Sequence, residues 1–167
     1  EIDACYNRTV DNTYWWSPGP ESFPSFQTGP SGDHTTGNGK YLFTNTQGFG
    51  GTAPLIADFV TPQINLVPLN TPELTFWYHM YGSQIGTFIV QINNGSGWTT
   101  LTTITGQQQT SKTAPWLESV VNLSAYANDT IRLRFRGTKG INLFNTEIAI
   151  DDIDIHETPG CPKPSLI

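Results

Sequence analysis

Along much of this chain apolar and polar residues alternate one for one, the two-residue period of a β-strand with one buried face. Leu74, Phe76, Tyr78 and Met80 fall on one side of such a strand, and Trp77, His79 and Tyr81 fall on the other. Bulky cover on both sides predicts a central strand. Phe88, Val90 and Ile92 form the inward side of a second strand, which Asn93-Asn94-Gly95-Ser96-Gly97 ends as a hairpin turn leading into Trp98 and Leu101. Val121 and Leu123 continue the pattern. In Ile131-Arg132-Leu133-Arg134-Phe135-Arg136 the alternation is strict, so three apolar residues turn inward and three arginines turn out to water. Tyr41-Leu42-Phe43 and Leu55 to Phe59 predict two more strands, separated by Gly48, Gly50 and Gly51. Helical periodicity is nearly absent. Many short strands punctuated by 16 Gly and 12 Pro predict an all-β fold, an antiparallel β-sandwich, because a parallel sheet would need crossover helices.

The segment from Ser17 to Gly39 has no period and reads as a long surface loop. The last strand carries a phase slip. Ile148 and Ile150 are in one phase and Ile153 and Ile155 in the next, so a β-bulge at Asp151-Asp152 is expected to absorb one residue. Two adjacent carboxylates in an apolar strand need compensation, since desolvating an ionised carboxylate costs several kcal/mol. A hard cation held by oxygen ligands is one solution. Hydrogen bonds from Arg132, Arg134 or a loop's backbone amides are the other, and the spacing leaves both open. No twelve-residue EF-hand spacing is present, so any ion site must gather its ligands from separate loops.

With 14 acidic and 8 basic residues the 167-residue chain has a net charge of −6, which argues against nucleic acid as a partner. Its apolar runs are far shorter than the roughly 20 residues that span a bilayer, so membrane insertion is not expected. The chain begins at Glu1, which reads as a mature or excised segment. Cys5 and Cys161 sit near opposite ends, too far apart in sequence for a metal or redox C-x-x-C pair. If the ends meet, a bridge between them would close nearly the whole chain, worth roughly 4–5 kcal/mol in the loop-entropy account. That favours an oxidising, extracellular setting, with two unpaired buried thiols as the alternative. Four N-x-[ST] triplets, at Asn7, Asn94, Asn122 and Asn128, permit glycosylation. The proline-spaced end, 158–167, reads as a linker carrying Cys161 after a domain spanning 1–157, with a neighbouring domain expected in the same polypeptide.

Catalytic patterns are poorly served. No Gly-x-Ser-x-Gly elbow accompanies the three histidines His34, His79 and His156, and no His-x-x-x-His pair offers a zinc site. His79, among aromatics on a central strand, reads as a hydrogen-bonded structural histidine. Pairing Asp151 or Asp152 with Glu118 or Glu147 for glycoside hydrolysis is conceivable, but nothing in the spacing selects it. Five tryptophans suggest binding instead. Trp15, Trp16, Trp98 and Trp116 lie beside predicted loops, where they either form a platform for sugar rings or cap the core. The outward arginines either meet acidic or sulfated polymers or form a solvated strand face.

Three stretches together resemble a known family: Gly29-Pro30-Ser31-Gly32-Asp33-His34-Thr35-Thr36-Gly37-Asn38-Gly39-Lys40-Tyr41-Leu42, then Leu74-Thr75-Phe76-Trp77-Tyr78-His79-Met80-Tyr81-Gly82, then Glu147-Ile148-Ala149-Ile150-Asp151-Asp152-Ile153. Their residues, order and spacing are similar to those of the MAM domain over roughly Trp16 to Ile155. The resemblance implies a jelly-roll sandwich, extracellular or at the cell surface, without catalytic activity of its own, that mediates adhesion or assembly with extracellular protein or polysaccharide. It further implies a structural ion, calcium or alternatively sodium, at Asp33, Asp151 and Asp152. Two departures are visible. Pro72-Glu73 stands where animal members carry a cysteine, and Cys5-Tyr6-Asn7-Arg8 replaces the acidic-aromatic opening. Few cysteines put the chain nearer the secreted bacterial members. The runner-up function is a carbohydrate-binding module of a secreted polysaccharide-degrading enzyme.

Overall fold

The computed structural model describes residues 7–8, 14–19, 27–45, 55–140 and 144–158. Its strands are β1 (Asn7–Arg8), β2 (Trp15–Pro18), β3 (Leu42–Asn45), β4 (Ile56–Val60), β5 (Ile64–Asn65), β6 (Pro72–His79), β7 (Ile85–Asn93), β8 (Thr99–Thr105), β9 (Leu117–Asn122), β10 (Thr130–Lys139) and β11 (Ala149–Glu157). They form two antiparallel sheets. One runs β1-β4-β10-β7-β8 with β5 beside β10, and the other runs β2-β3-β11-β6-β9. The chain passes repeatedly between the layers, which is the jelly-roll sandwich the alternation and the resemblance predict. The one helical element described is a short 3₁₀ turn at Ser124–Tyr126, and no described helix is long and apolar enough to cross a membrane.

The inward phases meet as the sequence pattern requires. Leu74, Phe76 and Met80 from β6 and the residue after it face Phe88, Val90 and Ile92 of β7 and Ile131, Leu133 and Phe135 of β10, and all are essentially inaccessible to solvent. At the centre Phe88 stacks on Phe135 at 6.3 Å, and Phe76 meets both edge-on at 5.8 and 5.9 Å. Such ring pairs add about 0.5–1.5 kcal/mol each beyond the area they bury.

Trp16 joins this core. Its Nε1 donates to the carbonyls of Ala57 and Phe135, both at 3.1 Å, so the short strand β2 is pinned through its own side chain to the opposite sheet. As a ligand-platform residue Trp16 is therefore ruled out, since a ring with no exposed surface cannot meet a sugar.

The 17–39 stretch is not a simple surface loop. Ser17 and Pro18 belong to β2, and Thr28, Gly29, Pro30 and Asp33 are buried. The 27–39 segment lies across the outer face of the β2-β3-β11-β6-β9 sheet, where its backbone groups find partners. Gly29 N–H donates to the Tyr81 carbonyl, Ser31 N–H to that of Lys112, and the Thr28 hydroxyl bridges the Tyr81 carbonyl and the Glu147 amide. Beneath it Tyr41, Phe43, Ala149 and Trp116 make a second, smaller apolar cluster.

At the far edge Glu157 still pairs with Pro72, and Thr158 donates to the Thr71 carbonyl. Cys5 and Cys161, the Gly48 to Gly51 cluster and most of 158–167 lie outside the described residues.

Candidate functional site

The bulge expected at Asp151-Asp152 is present. Asp151 pairs with Trp77 and Asp154 with Thr75, so Asp152 and Ile153 on β11 oppose Phe76 alone on β6, and Asp152 takes a left-handed φ of 45°. That conformation is uncommon for a side chain with a Cβ. It turns both carboxylates toward the 33–39 loop on the outer face.

The loop meets them with donors. The His34 amide donates to Asp151 Oδ2 at 2.9 Å, and the Asp152 amide donates to Asp151 Oδ1 at 2.9 Å. Asp152 Oδ2 receives the Thr35 hydroxyl at 2.6 Å and lies 2.7 Å from His34 Nδ1. Asp33 closes the loop on itself, accepting from the Thr36 amide and hydroxyl and from the Gly39 amide. A Cβ on Gly32 would collide with the Gly37 carbonyl oxygen, so only glycine permits this tight return. The His34 ring stacks on Trp77 at 3.8 Å and 14° and meets Trp116 edge-on, giving the latch an aromatic base.

Asp151 and Asp152 thus face the loop that Asp33 closes, joined to it by hydrogen bonds between residues more than a hundred positions apart. Of the compensations left open by sequence, the loop's own amides and hydroxyls are the ones observed. Arg132 and Arg134 lie on the other sheet and play no part here. Burial pushes the Asp151 carboxyl up, the amides of His34 and Asp152 oppose this, and the charges of Asp152 and Asp33 add to the rise. Asp152 is held below the usual carboxylate range by His34 and Thr35. Burial acts to raise Asp33, but the amides of Thr36 and Gly39 and the Thr36 hydroxyl together outweigh it, so its carboxyl is lowered. Among the described residues no three ligating side chains are grouped so as to hold an ion.

The other expected site residues are dispersed. Trp15 is half-buried on β2 with its Nε1 on the Ser17 hydroxyl. Trp116 packs against Tyr41, His34 and His79 and roofs the small outer cluster. Trp98 stands on the opposite sheet, half-buried, with the Arg134 guanidinium 4.3 Å over its ring. Arg134 is itself held by Gln91 Oε1 at 2.8 and 2.6 Å, and Arg136 makes a two-pronged pair with Asp58 at 2.7 and 2.6 Å.

His79 is fully buried, and its ring nitrogens lie beside the Ser111 and Ala114 backbones, short of full hydrogen-bond geometry. The edge of its strand is instead saturated by Gln109, which accepts from the Met80 amide and donates to the Tyr78 carbonyl. His34, Thr35 and Trp77 are functional members of the latch that sequence reasoning did not single out. The signal for His34 and Thr35, polar donors directly after Asp33, has no visible partner in the sequence.

A family model described as "MAM domain, meprin/A5/mu" matches residues 3–162. Mouse (Mus musculus) "MAM domain-containing protein 2" is 32% identical over 162 residues, covering 94% of this chain and 22% of the relative. Zebrafish (Danio rerio) "Neuropilin-1a" is 30% identical over 87% of this chain and 15% of its own length. The chain thus spans about a fifth of the curated relatives it matches. Among solved structures, the K1 cleaved adhesin domain of Lys-gingipain from Porphyromonas gingivalis W83 superposes with a TM-score of 0.62 at 19% identity, over 95% of this chain and 94% of that one. A structure of carbohydrate-binding modules from the β-sandwich superfamily gives 0.55 at 14% identity, over 92% and 57%. At these identities the likeness is one of fold.

Proposed function

The chain belongs to the MAM domain family, and from that premise we propose that it is a non-catalytic module for adhesion or targeting, acting outside the cell as one part of a longer secreted protein. The latch is the observation that carries this reading. Asp33, Asp151 and Asp152 direct their oxygens at amides and hydroxyls of one loop, an arrangement suited to holding a surface in shape. Its chemistry is that of a fastener, and the partner is an extracellular protein or polysaccharide. The Lys-gingipain adhesin domain, which has the same fold, agrees with it.

Calcium, with sodium as the alternative, is part of the proposal. The charges of Asp152 and Asp33, which help to raise Asp151, support a cation there. The ligands as arranged do not fit one, because the loop donors engage the oxygens it would need, so an ion would bind by displacing them. A Cys5–Cys161 bridge belongs to the same reading. Phe59, which pairs with Arg8 of β1, and Ile153 and Ile155 of β11 line one cleft, and this nearness supports such a bridge.

A second reading, a carbohydrate-binding module of a secreted polysaccharide-degrading enzyme, is favoured by the half-buried Trp98 at the edge of an open groove. The carbohydrate-binding modules that share this fold point the same way.

Beads coated with the chain test the proposal on surfaces bearing extracellular-matrix proteins or polysaccharides, alongside assays of peptide and glycoside hydrolysis. The expected result is saturable retention without turnover. Turnover lost in Asp151→Asn would overturn the non-catalytic reading. Melting curves of the same preparation in calcium, in sodium and after chelation form the ion arm: a higher transition with either cation supports an ion, and an unchanged one after verified metal removal excludes it.

A further inference from the structure

On the sheet opposite the latch, the start of β10, the β7–β8 hairpin and Gln63 enclose a groove of about 380 Å³. Its walls differ in kind. One is the indole of Trp98. Arg134 covers one face of that ring, and because Arg134 is fixed by Gln91 and lies 3.8 Å from Asp58, the indole is held in place from behind. What remains of the indole surface lines the groove.

Facing it is Arg132, which lies beside Asn93 in the strand register and two residues before Arg134 on the same face of β10. Arg134 and Arg136 are both engaged with acceptors, whereas exposed Arg132 has no acceptor among the described residues. The nearby carboxylate of Asp129 is taken by the Asn94 side-chain amide at 2.9 Å. The rim adds the amide of Gln63 and the hydroxyl of Thr130.

An apolar ring face, amide and hydroxyl groups and an unpaired guanidinium are complementary to a different set. That set is the C–H face of a pyranose, its hydroxyls and an anionic substituent. Arginine suits the last of these because its planar fork meets a carboxylate or sulfate with two parallel hydrogen bonds. We propose that this groove binds an anionic sugar unit of an extracellular polysaccharide, the ring on Trp98 and the carboxylate or sulfate on Arg132. This rests on the recognition-module reading and gives it a ligand class. The chain's net charge of −6 repels polyanions at long range, so recognition is local and made through one or two sugar units.

Affinity electrophoresis tests it with protein made without N-glycans, because Asn94, a sequon asparagine, stands on the groove rim. The gels contain polygalacturonate for the carboxylate source, dextran sulfate for the sulfate source, or a neutral mixed-linkage β-glucan. Retardation is expected on one or both anionic gels, and which one identifies the substituent. Arg132→Gln is expected to weaken it about tenfold with an unchanged melting temperature, the scale of one lost charge-assisted hydrogen bond. Trp98→Ala is expected to abolish it, and Trp98→Phe to retain part. Equal retardation on the neutral gel, or undiminished retardation of Arg132→Gln, overturns the proposal. If no polysaccharide retards the protein while coated beads still adhere to protein surfaces, the groove assignment fails and the module reading stands.

Discussion

Lowering the pH from 6.5 to 4 is expected to remove on the order of 3 kcal/mol of folding stability through His79 alone. Burial favours the neutral imidazole and lowers its pKa from 6.5 to about 4. The Ser111 and Ala114 backbones oppose that shift, and the charge of Lys112 adds to it. A histidine whose folded pKa is depressed binds its proton more readily when unfolded. Its contribution is therefore complete above the unfolded value of 6.5 and is lost as pH falls toward 4, where the folded form at last takes up the proton. Asp33, Asp152 and Glu157 have lowered pKa values, and their contributions disappear in a more acid range. Urea unfolding of the natural chain and of His79→Phe across this window isolates the effect as a difference. The slope of unfolding free energy against pH should be shallower in the variant by about one proton. Parallel curves would mean that His79 is solvated or paired in solution.

Replacing Trp16 with alanine is expected to cost about 3–5 kcal/mol, the range for emptying a large aromatic site from a packed core and a large share of a domain's marginal stability. The indole fills space beside Phe88 at 6.1 Å, and its N–H is the hydrogen-bonded link from β2 to the carbonyls of the facing sheet. Trp16→Phe keeps most of the volume and removes that link, so it should fold with a loss of about 1–2 kcal/mol. Chemical denaturation of the two variants provides the comparison. A stable Trp16→Ala that had lost only ligand binding would contradict the placement and restore Trp16 to the surface.

These two residues also mark what a sequence can and cannot reveal. Trp16 and Trp98 are equivalent to a reader of the chain, since each lies beside a predicted loop. Their fates diverge because β2 lays its tryptophan across to the other sheet, a pairing decided by contacts 41 and 119 positions away. By contrast the Asp151-Asp152 bulge was legible, because side-chain phase is a strictly local property and a one-residue slip has one economical cause. The outward arginines were legible for the same reason. Their partners were not, since Asp58 and Gln91 arrive from neighbouring strands. The loop from Ser17 to Gly39 has no period, so the burial of Thr28, Gly29, Pro30 and Asp33 was invisible. Its hydrogen bonds to Asp151, Asp152, Tyr81 and Glu147 exist only once the sandwich has assembled.

The acidic cluster fastens the 33–39 loop to the last strand, and amide hydrogen exchange of the folded chain, read residue by residue, tests this most directly. The His34, Thr36 and Gly39 amides lie in a segment without regular secondary structure, yet each donates to a carboxylate of Asp151 or Asp33. They should exchange far more slowly than the amide of Gly37 in the same loop. Asp151→Ala should release His34, and Asp33→Ala should release Thr36 and Gly39, with the β6 and β10 amides unaffected. If all four loop amides exchange at the rate of an unstructured peptide in the natural chain, those carboxylates hold nothing and the latch is absent in solution.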